Sequence, residues 1–312
     1  MIKLLTHNDL DGVGCYIAIG YFYDGVEVQY CSNTNVNDCV REALSKHTDY
    51  DKIYITDLSV NTQNELLINE INSSNPMKIV LIDHHKTAQH LDIYNWATVK
   101  VNTDDHLHCG TELVYEYLLE EFSNEFNDDL RHITSSLGRF VELVRRYDTW
   151  LWKTKYNDTK PKIINDLFTI YGIDDFVIDI NNKLFPNEEE ELIDEQDELV
   201  LKVEQKRIDR YIKKKEKELT KTSVTIQGKV YAIGFVFADS YISELGNTLS
   251  TNNCELDFIC IINNTVSLRT IHDNVDLSEI AKLYGGGGHQ KAAGFTFNKN
   301  LLSDIIPYVF NK

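Results

Sequence analysis

The sequence predicts an α/β protein in three parts: an N-terminal parallel sheet with helices on both faces, a helical linker, and a smaller mixed α/β domain. Three observations lead there. Strand-like and helix-like segments alternate through the first third of the chain. A highly charged segment follows Pro186 with few apolar positions. Beyond it come two strand–turn–strand patterns and a glycine run.

In order, IKLLTH (2–7) reads as the first strand, followed by a helical pattern from Val13 to Tyr23 and a second strand, VEVQYC (26–31). A helix is expected over 36–46, then the strand KIYITDL (52–58), a helix through TQNELLINEI, the strand MKIVLIDHH (77–85) and the strand TVKVN (98–102). From Gly110 to Phe185 the pattern turns mostly helical, clearest in TELVYEYLLEEF and SSLGRFVELVRRY. The first domain is placed at 1–187 and the linker at 188–222. That linker is acidic first and basic last, which suits a helix dipole, and as one helix it would reach on the order of 45 Å. The second domain, 223–312, holds SVTIQGKVYAIGFVF, DFICIINNTVSLRTI, a helix from Leu277 and YGGGGHQKAAGFTF.

The net charge of −18, from 49 acids against 31 bases, disfavours a broad surface for long nucleic acid. A short polyanion held by metal ions and a few bases remains compatible with it. No apolar run is long enough for a membrane span. The N-terminus becomes charged too early for a signal peptide. The six scattered cysteines read as reduced thiols, so a cytoplasmic protein is expected.

Ligands of an open parallel sheet bind beyond the carboxyl ends of its strands. His7, Asp9 and Asp11 follow the first strand, Asp57 ends KIYITD, and Asp83, His84 and His85 end MKIVLI. All seven are therefore expected on one rim. Asp148 closes a helix, where an acid opposes the dipole unless a cation compensates it. Singly, such residues serve as turn formers, caps or satisfied core histidines. Together, crowded carboxylates repel one another, and divalent metal resolves the repulsion. Oxygen-rich ligands with imidazole and no thiolate favour two Mn²⁺ ions, with Mg²⁺ as the substitute. Such a pair suits phosphoryl displacement by water.

At these residues the chain resembles the DHH phosphoesterase superfamily, whose name is spelled by Asp83-His84-His85. HNDLDG (7–12) resembles its first motif, TDLS (56–59) the second, IDHHKT (82–87) the third and RYDTW (146–150) the fourth. GGGGHQKAAGF (285–295) resembles the glycine-rich signature of the associated DHHA1 domain. The wording of these motifs, with SELGN and VSLRTIHD, is closest to the nanoRNase B-type oligoribonuclease branch. The resemblance spans nearly the whole chain. It implies Mn²⁺-dependent hydrolysis of short RNA or DNA oligonucleotides to nucleoside monophosphates. By position it implies His7, Asp9, Asp11, Asp57, His84 and Asp148 as metal ligands, with Asp57 bridging. His85 would act at the scissile phosphate, and Asp83 would orient a neighbouring histidine. One departure is that a single residue separates His7 from Asp9, where some members have three.

The second domain reads as a substrate grip. Arg269, Gly286, Gly287, Gly288 and His289 are the expected phosphate contacts, since glycine lets backbone N–H groups approach an anion and Arg offers a bidentate fork. Lys291 reads as a solvated charge, Ser243 and Glu244 as a helix start, Thr111 as a helix cap, and Trp150 and Trp152 as core. Substrate is expected in a cleft between the domains, and a homodimer is an allowed assembly. The competing substrates are linear or cyclic dinucleotides, adenosine 3′,5′-bisphosphate and single-stranded DNA. The competing class is a nucleotide sensor that has lost catalysis, against which stands a complete set of ligand residues.

Overall fold

The computed structural model describes residues 1–103, 106–123, 128–184 and 191–296, and of 128–135 the backbone alone. The expected boundary at 187/188 and the last residues of the second domain lie outside this set. The chain divides into two compact units, Met1–Leu201 and Lys202–Lys312.

Unit 1 is built on five strands: β1 (Ile2–His7), β2 (Val26–Cys31), β3 (Lys52–Thr56), β4 (Ile79–Asp83) and β5 (Ala97–Val99). All pairs are parallel, in the order β2-β1-β3-β4-β5. The helices are α1 (Leu10–Phe22), α2 (Val36–Ser45), α3 (Thr62–Ser74), α4 (Gly110–Glu121), α5 (Asp128–Asp148), α6 (Leu151–Thr154), α7 (Lys160–Tyr171) and α8 (Ile173–Leu184). The period of two along the strands explains their continuous apolar runs. Leu4, Tyr54, Val80 and Ile82 face one way, onto α1, α4, α5, α7 and α8. Leu5, Ile53, Ile55, Ile79 and Leu81 face the other, onto α2 and α3. Both faces are buried, as a parallel sheet requires.

Three local expectations change. Helix α1 begins at Leu10 rather than Val13, because Asp9 Oδ1 accepts the Gly12 N–H at 3.0 Å and caps it. Asp11 therefore sits in the first helical turn, not in a preceding loop. Thr111 is not the cap of α4. Cys109 holds that position, and the Thr111 hydroxyl donates to the Asp11 carbonyl at 2.6 Å. Trp150 is not core: it follows the end of α5 at φ 60° and is 60% exposed. The left-handed turn breaks the helical phase that would have carried the ring inward. Its ring stacks on partly buried Trp152, with centroids 6.1 Å apart.

The junction of α8 with the next helix, α9 (Glu195–Glu218), is held by buried charge. Asp197 is 1% exposed and accepts from Lys183 Nζ at 2.5 Å, the Tyr171 hydroxyl at 2.8 Å and the Asp194 N–H at 2.9 Å. Removing one partner of a buried pair leaves the other charge uncompensated. Asp197→Ala is expected to cost about 3 kcal/mol and lower Tm by about 6–12 °C, read by calorimetry. Loss of less than about 1 kcal/mol would show that Asp179, 2.7 Å from Lys183, suffices alone.

Unit 2 carries β6 (Thr220–Ile226), β7 (Lys229–Phe237), β8 (Phe258–Ile262), β9 (Thr265–Arg269), β10 (Gly287–His289) and β11 (Ala292–Thr296), with α10 (Ile242–Asn252) and α11 (Leu277–Lys282). The strand order is β10-β11-β9-β8-β7-β6. Only β7 and β8 pair in parallel, and α10 makes their crossover. The two strand–turn–strand patterns form the hairpins β6–β7 and β8–β9. Gln227 and Gly228, both at positive φ, turn the first. Because β6 takes the chain from Thr220, α9 spans 24 residues, about 36 Å, which is shorter than the charged segment suggested. Apolar side chains of one sheet face pack on α11 and those of the other on α10 and Tyr211 and Ile212 of α9.

Candidate metal centre

The strand order reverses between β1 and β3, and at this crevice an open sheet presents its ligand site. His7 is the last residue of β1, and Asp9 caps the helix that follows. Asp57 comes one residue after β3 rather than within it, at φ 54°, with its N–H donating to the Ile82 carbonyl at 2.9 Å. This left-handed residue, uncommon for a carboxylate-bearing side chain but tolerated by Asp, turns the carboxylate back over the strand ends. Asp83 ends β4, ahead of His84 and His85.

The side chains converge in groups that overlap. His7, Asp9 and Asp57 bring one ligand atom each within 4.8 Å of the others, and so do Asp11, His84 and Asp148. Asp57 reaches both. Its Oδ2 lies 4.0 Å from His7 Nδ1, and its Oδ1 lies 3.3 Å from His84 Nε2. His84 Nε2 is also 3.6 Å from Asp11 Oδ2 and 3.9 Å from Asp148 Oδ2. Asp83 joins Asp57, His84 and His85 in a third such group, but its Oδ1 is engaged behind the histidines, accepting the His84 N–H at 2.8 Å and meeting His85 Nδ1 at 2.7 Å. Asp83 Oδ2 is buried with no hydrogen-bond partner among the described residues.

Two residues fix Asp11: Gly110, which sequence reasoning passed over, and Thr111, which it read as a helix cap. The Gly110 N–H donates to Asp11 Oδ2 at 2.6 Å and the Thr111 N–H to Oδ1 at 2.8 Å. The carboxylate thus sits on the N-terminus of α4, where the helix dipole favours its charge. Gly110 allows the close approach, since a Cβ there would lie 2.8 Å from Asp57 Cβ. The only local sign was the small-residue sequence HCGT (108–111).

Among the described residues no Lys or Arg pairs with any of these five acids. Burial, then the charges of Asp11, Asp9, Asp83 and Asp148, push Asp57 well above the usual carboxylate range. Burial, then Asp11 and Asp9, push Asp148 up to about 8. Burial works against the charge of Asp9 too, yet the hydrogen bonds with His7 and Gly12 outweigh it and lower its pKa. Burial lowers His84, which favours the neutral imidazole a metal requires, while the Asp83 hydrogen bond raises His85. Acids held against their charge, with imidazoles and no organic cation among them, fit a divalent metal.

The sign of the pH effect follows. A carboxyl whose pKa is raised in the fold keeps its stability at low pH and loses it as pH climbs through the folded value. Chelated protein is therefore expected to lose stability between about pH 4 and pH 8. Asp148→Asn should raise the Tm of chelated protein by about 3 °C at pH 8.5 and by little at pH 5. An equal gain at both values in calorimetry would contradict this.

In unit 2, β10, β11 and β9 carry His289, Ala292 and Arg269 opposite one another in a single cross-strand row. Directly opposed residues share a face, so an imidazole and a guanidinium flank one small side chain. The Arg269 guanidinium donates to the Leu268 carbonyl at 2.9 Å and lies 3.4 Å from the Ser243 hydroxyl. A Cβ on Gly246 would come within 2.5 Å of Arg269 Cγ. Ser243 does open α10, as expected, but SELGN also seats Arg269, a purpose its sequence did not disclose. Burial alone lowers the pKa of Arg269, and no acid pairs with it among the described residues. The glycine run leads into an edge hairpin: Gly286 and Gly288 press on β11, while Gly285 and Gly287 have open space. Lys291 pairs with Asp273 at 2.7 Å.

Residues 1–138 match the DHH family, N-terminal domain. Oligoribonuclease NrnB of Bacillus subtilis (strain 168) is 43% identical over 318 residues, covering 99% of this chain and 76% of that protein. The chain belongs to the DHH family. Uncharacterized protein R106 of Acanthamoeba polyphaga mimivirus is 25% identical to this DHH chain over 75% of it, and the match spans 50% of R106. Among solved structures, the pGpG-specific phosphodiesterase PggH of Vibrio cholerae shares the DHH chain's fold at TM-score 0.51, with 11% identity over 99% of this chain and 97% of that one. None of the helices in the described residues is long and apolar enough to cross a membrane.

Proposed function

We propose that this DHH protein is a phosphodiesterase that hydrolyses short oligonucleotides to nucleoside monophosphates, with two Mn²⁺ ions bound and Mg²⁺ as a substitute. The observation that carries the reading is the Asp57 carboxylate, one oxygen toward His7 and the other toward His84. The 43% identity to an oligoribonuclease supports the substrate class. His7, Asp9 and Asp57 would hold one ion, and Asp57, Asp11, His84 and Asp148 the other. When bound, the pair polarises a phosphodiester and lowers the pKa of water.

The chain's own groups supply the rest. Asp57 fixes the spacing of the two ligand groups, and the start of α4 fixes Asp11. Asp83 holds Nδ1 of His85 at 2.7 Å, so the other ring nitrogen is free to give a proton to the leaving ribose oxygen as the P–O bond breaks. The raised pKa of His85 keeps that proton available near neutral pH. Arg269 and His289, with the open backbone at Gly287, would hold a terminal phosphate. An acidic chain that binds its polyanion through metals and one guanidinium suits short substrates better than long strands. Cytoplasmic RNA degradation is the setting that fits this reading.

The test is Mn²⁺-dependent release of mononucleotides from an RNA length series, dinucleotide to twenty-mer, beside cyclic dinucleotides and adenosine 3′,5′-bisphosphate. Preferential turnover of two- to five-mers supports the proposal. Turnover of the cyclic or bisphosphate compounds alone would keep the metal centre and overturn the substrate.

A further inference from the structure

Outside the acid-rich centre, a second constellation of ligand atoms lies at the entrance to α4. His106 Nε2 is 3.1 Å from Glu112 Oε1, and His108 Nδ1 is 3.0 Å from Glu112 Oε2. The two imidazoles meet with centroids 4.2 Å apart. One ligand atom from each residue falls within 4.8 Å of the other two. We propose that His106, His108 and Glu112 form a separate metal site that takes a zinc-class ion.

The donor set separates it from the acid-rich centre. Two imidazoles and one carboxylate make a three-ligand set that suits Zn²⁺ and leaves a fourth position open. A cavity of about 450 Å³, lined by Thr103, His106, Arg145, Lys155 and Tyr156 among others, opens beside His106.

Arg145 is the natural objection, since its Nε lies 3.4 Å from Glu112 Oε1. The guanidinium, however, does not depend on Glu112. Glu142 takes its fork, at 2.8 Å from Nε and 2.9 Å from the second nitrogen, and the third nitrogen donates to the Leu107 carbonyl at 3.2 Å. Arg145 thus keeps its bonds when Glu112 turns to a cation, and it pins the residue between the two histidines. Zinc here would have a structural consequence. His108 and Glu112 bracket Gly110 and Thr111, whose N–H groups hold Asp11. An ion across that bracket would brace the helix start that presents Asp11.

The site stands independently of the proposed hydrolysis. Metal-free protein would be equilibrated against Zn²⁺ by dialysis and the bound metal counted in the wild type, in a double variant carrying His106→Ala and His108→Ala, and in Glu112→Gln. The expected result is one zinc ion fewer in both variants, with affinity at that site reduced on the order of 100-fold. The metal-free variants should keep the wild-type far-ultraviolet circular dichroism, which separates loss of a ligand from loss of fold. Equal zinc counts in the wild type and both folded variants would overturn the proposal.

Discussion

Asp57→Asn is expected to lower kcat on short oligonucleotides by at least about 10³-fold, the equivalent of about 4 kcal/mol of transition-state stabilisation. The carboxylate is buried and faces both ligand groups, so no neighbouring acid can replace it in both at once. Asparagine keeps the shape and tolerates the left-handed backbone at this position, where φ is 54°. It also removes a charge that burial and four other acids oppose. The same substitution should therefore leave the metal-free protein at least as stable as the wild type at neutral pH. Activity and stability moving in opposite directions is the signature of a functional carboxylate rather than a structural one. Steady-state rates together with calorimetry of chelated protein check both halves. Retention of more than about a tenth of the wild-type rate would contradict the assignment.

Arg269→Ala is expected to raise KM for a terminally phosphorylated dinucleotide about 30- to 100-fold, about 2–3 kcal/mol, with kcat changed much less. The guanidinium is already ordered by the Leu268 carbonyl, the Ser243 hydroxyl and the close packing of Gly246, so little entropy opposes its grip on phosphate. The same dinucleotide without its terminal phosphate should lose less than about threefold. Equal losses on both substrates would assign Arg269 to the fold of unit 2 rather than to phosphate.

What was legible in the sequence follows from how each feature is encoded. Parallel strands buried on both faces write themselves as apolar runs, and their carboxyl ends collect ligands. His7, Asp57, Asp83, His84 and His85 could therefore be placed on one rim from order alone. Asp148 could be singled out too, because an acid that closes a helix opposes the dipole. Long-range supports were not visible. Asp11 is held by backbone 99 and 100 residues away, and backbone N–H groups leave no mark on the residue that donates them. Ser243 and Gly246 act on Arg269 across a strand crossover, where local pattern shows only a helix start. The misplacement of Trp150 has a different cause. Its aromatic pattern continued past α5 while the backbone turned left-handed, and periodicity carries no information beyond a helix end.

The central claim is a dinuclear centre joined by one carboxylate, and anomalous diffraction from crystals grown with Mn²⁺ reads it most directly. Two manganese peaks are predicted, one against His7 and Asp9, the other against Asp11, His84 and Asp148, with an oxygen of Asp57 on each. A single peak, or two peaks neither of which touches Asp57, would contradict it.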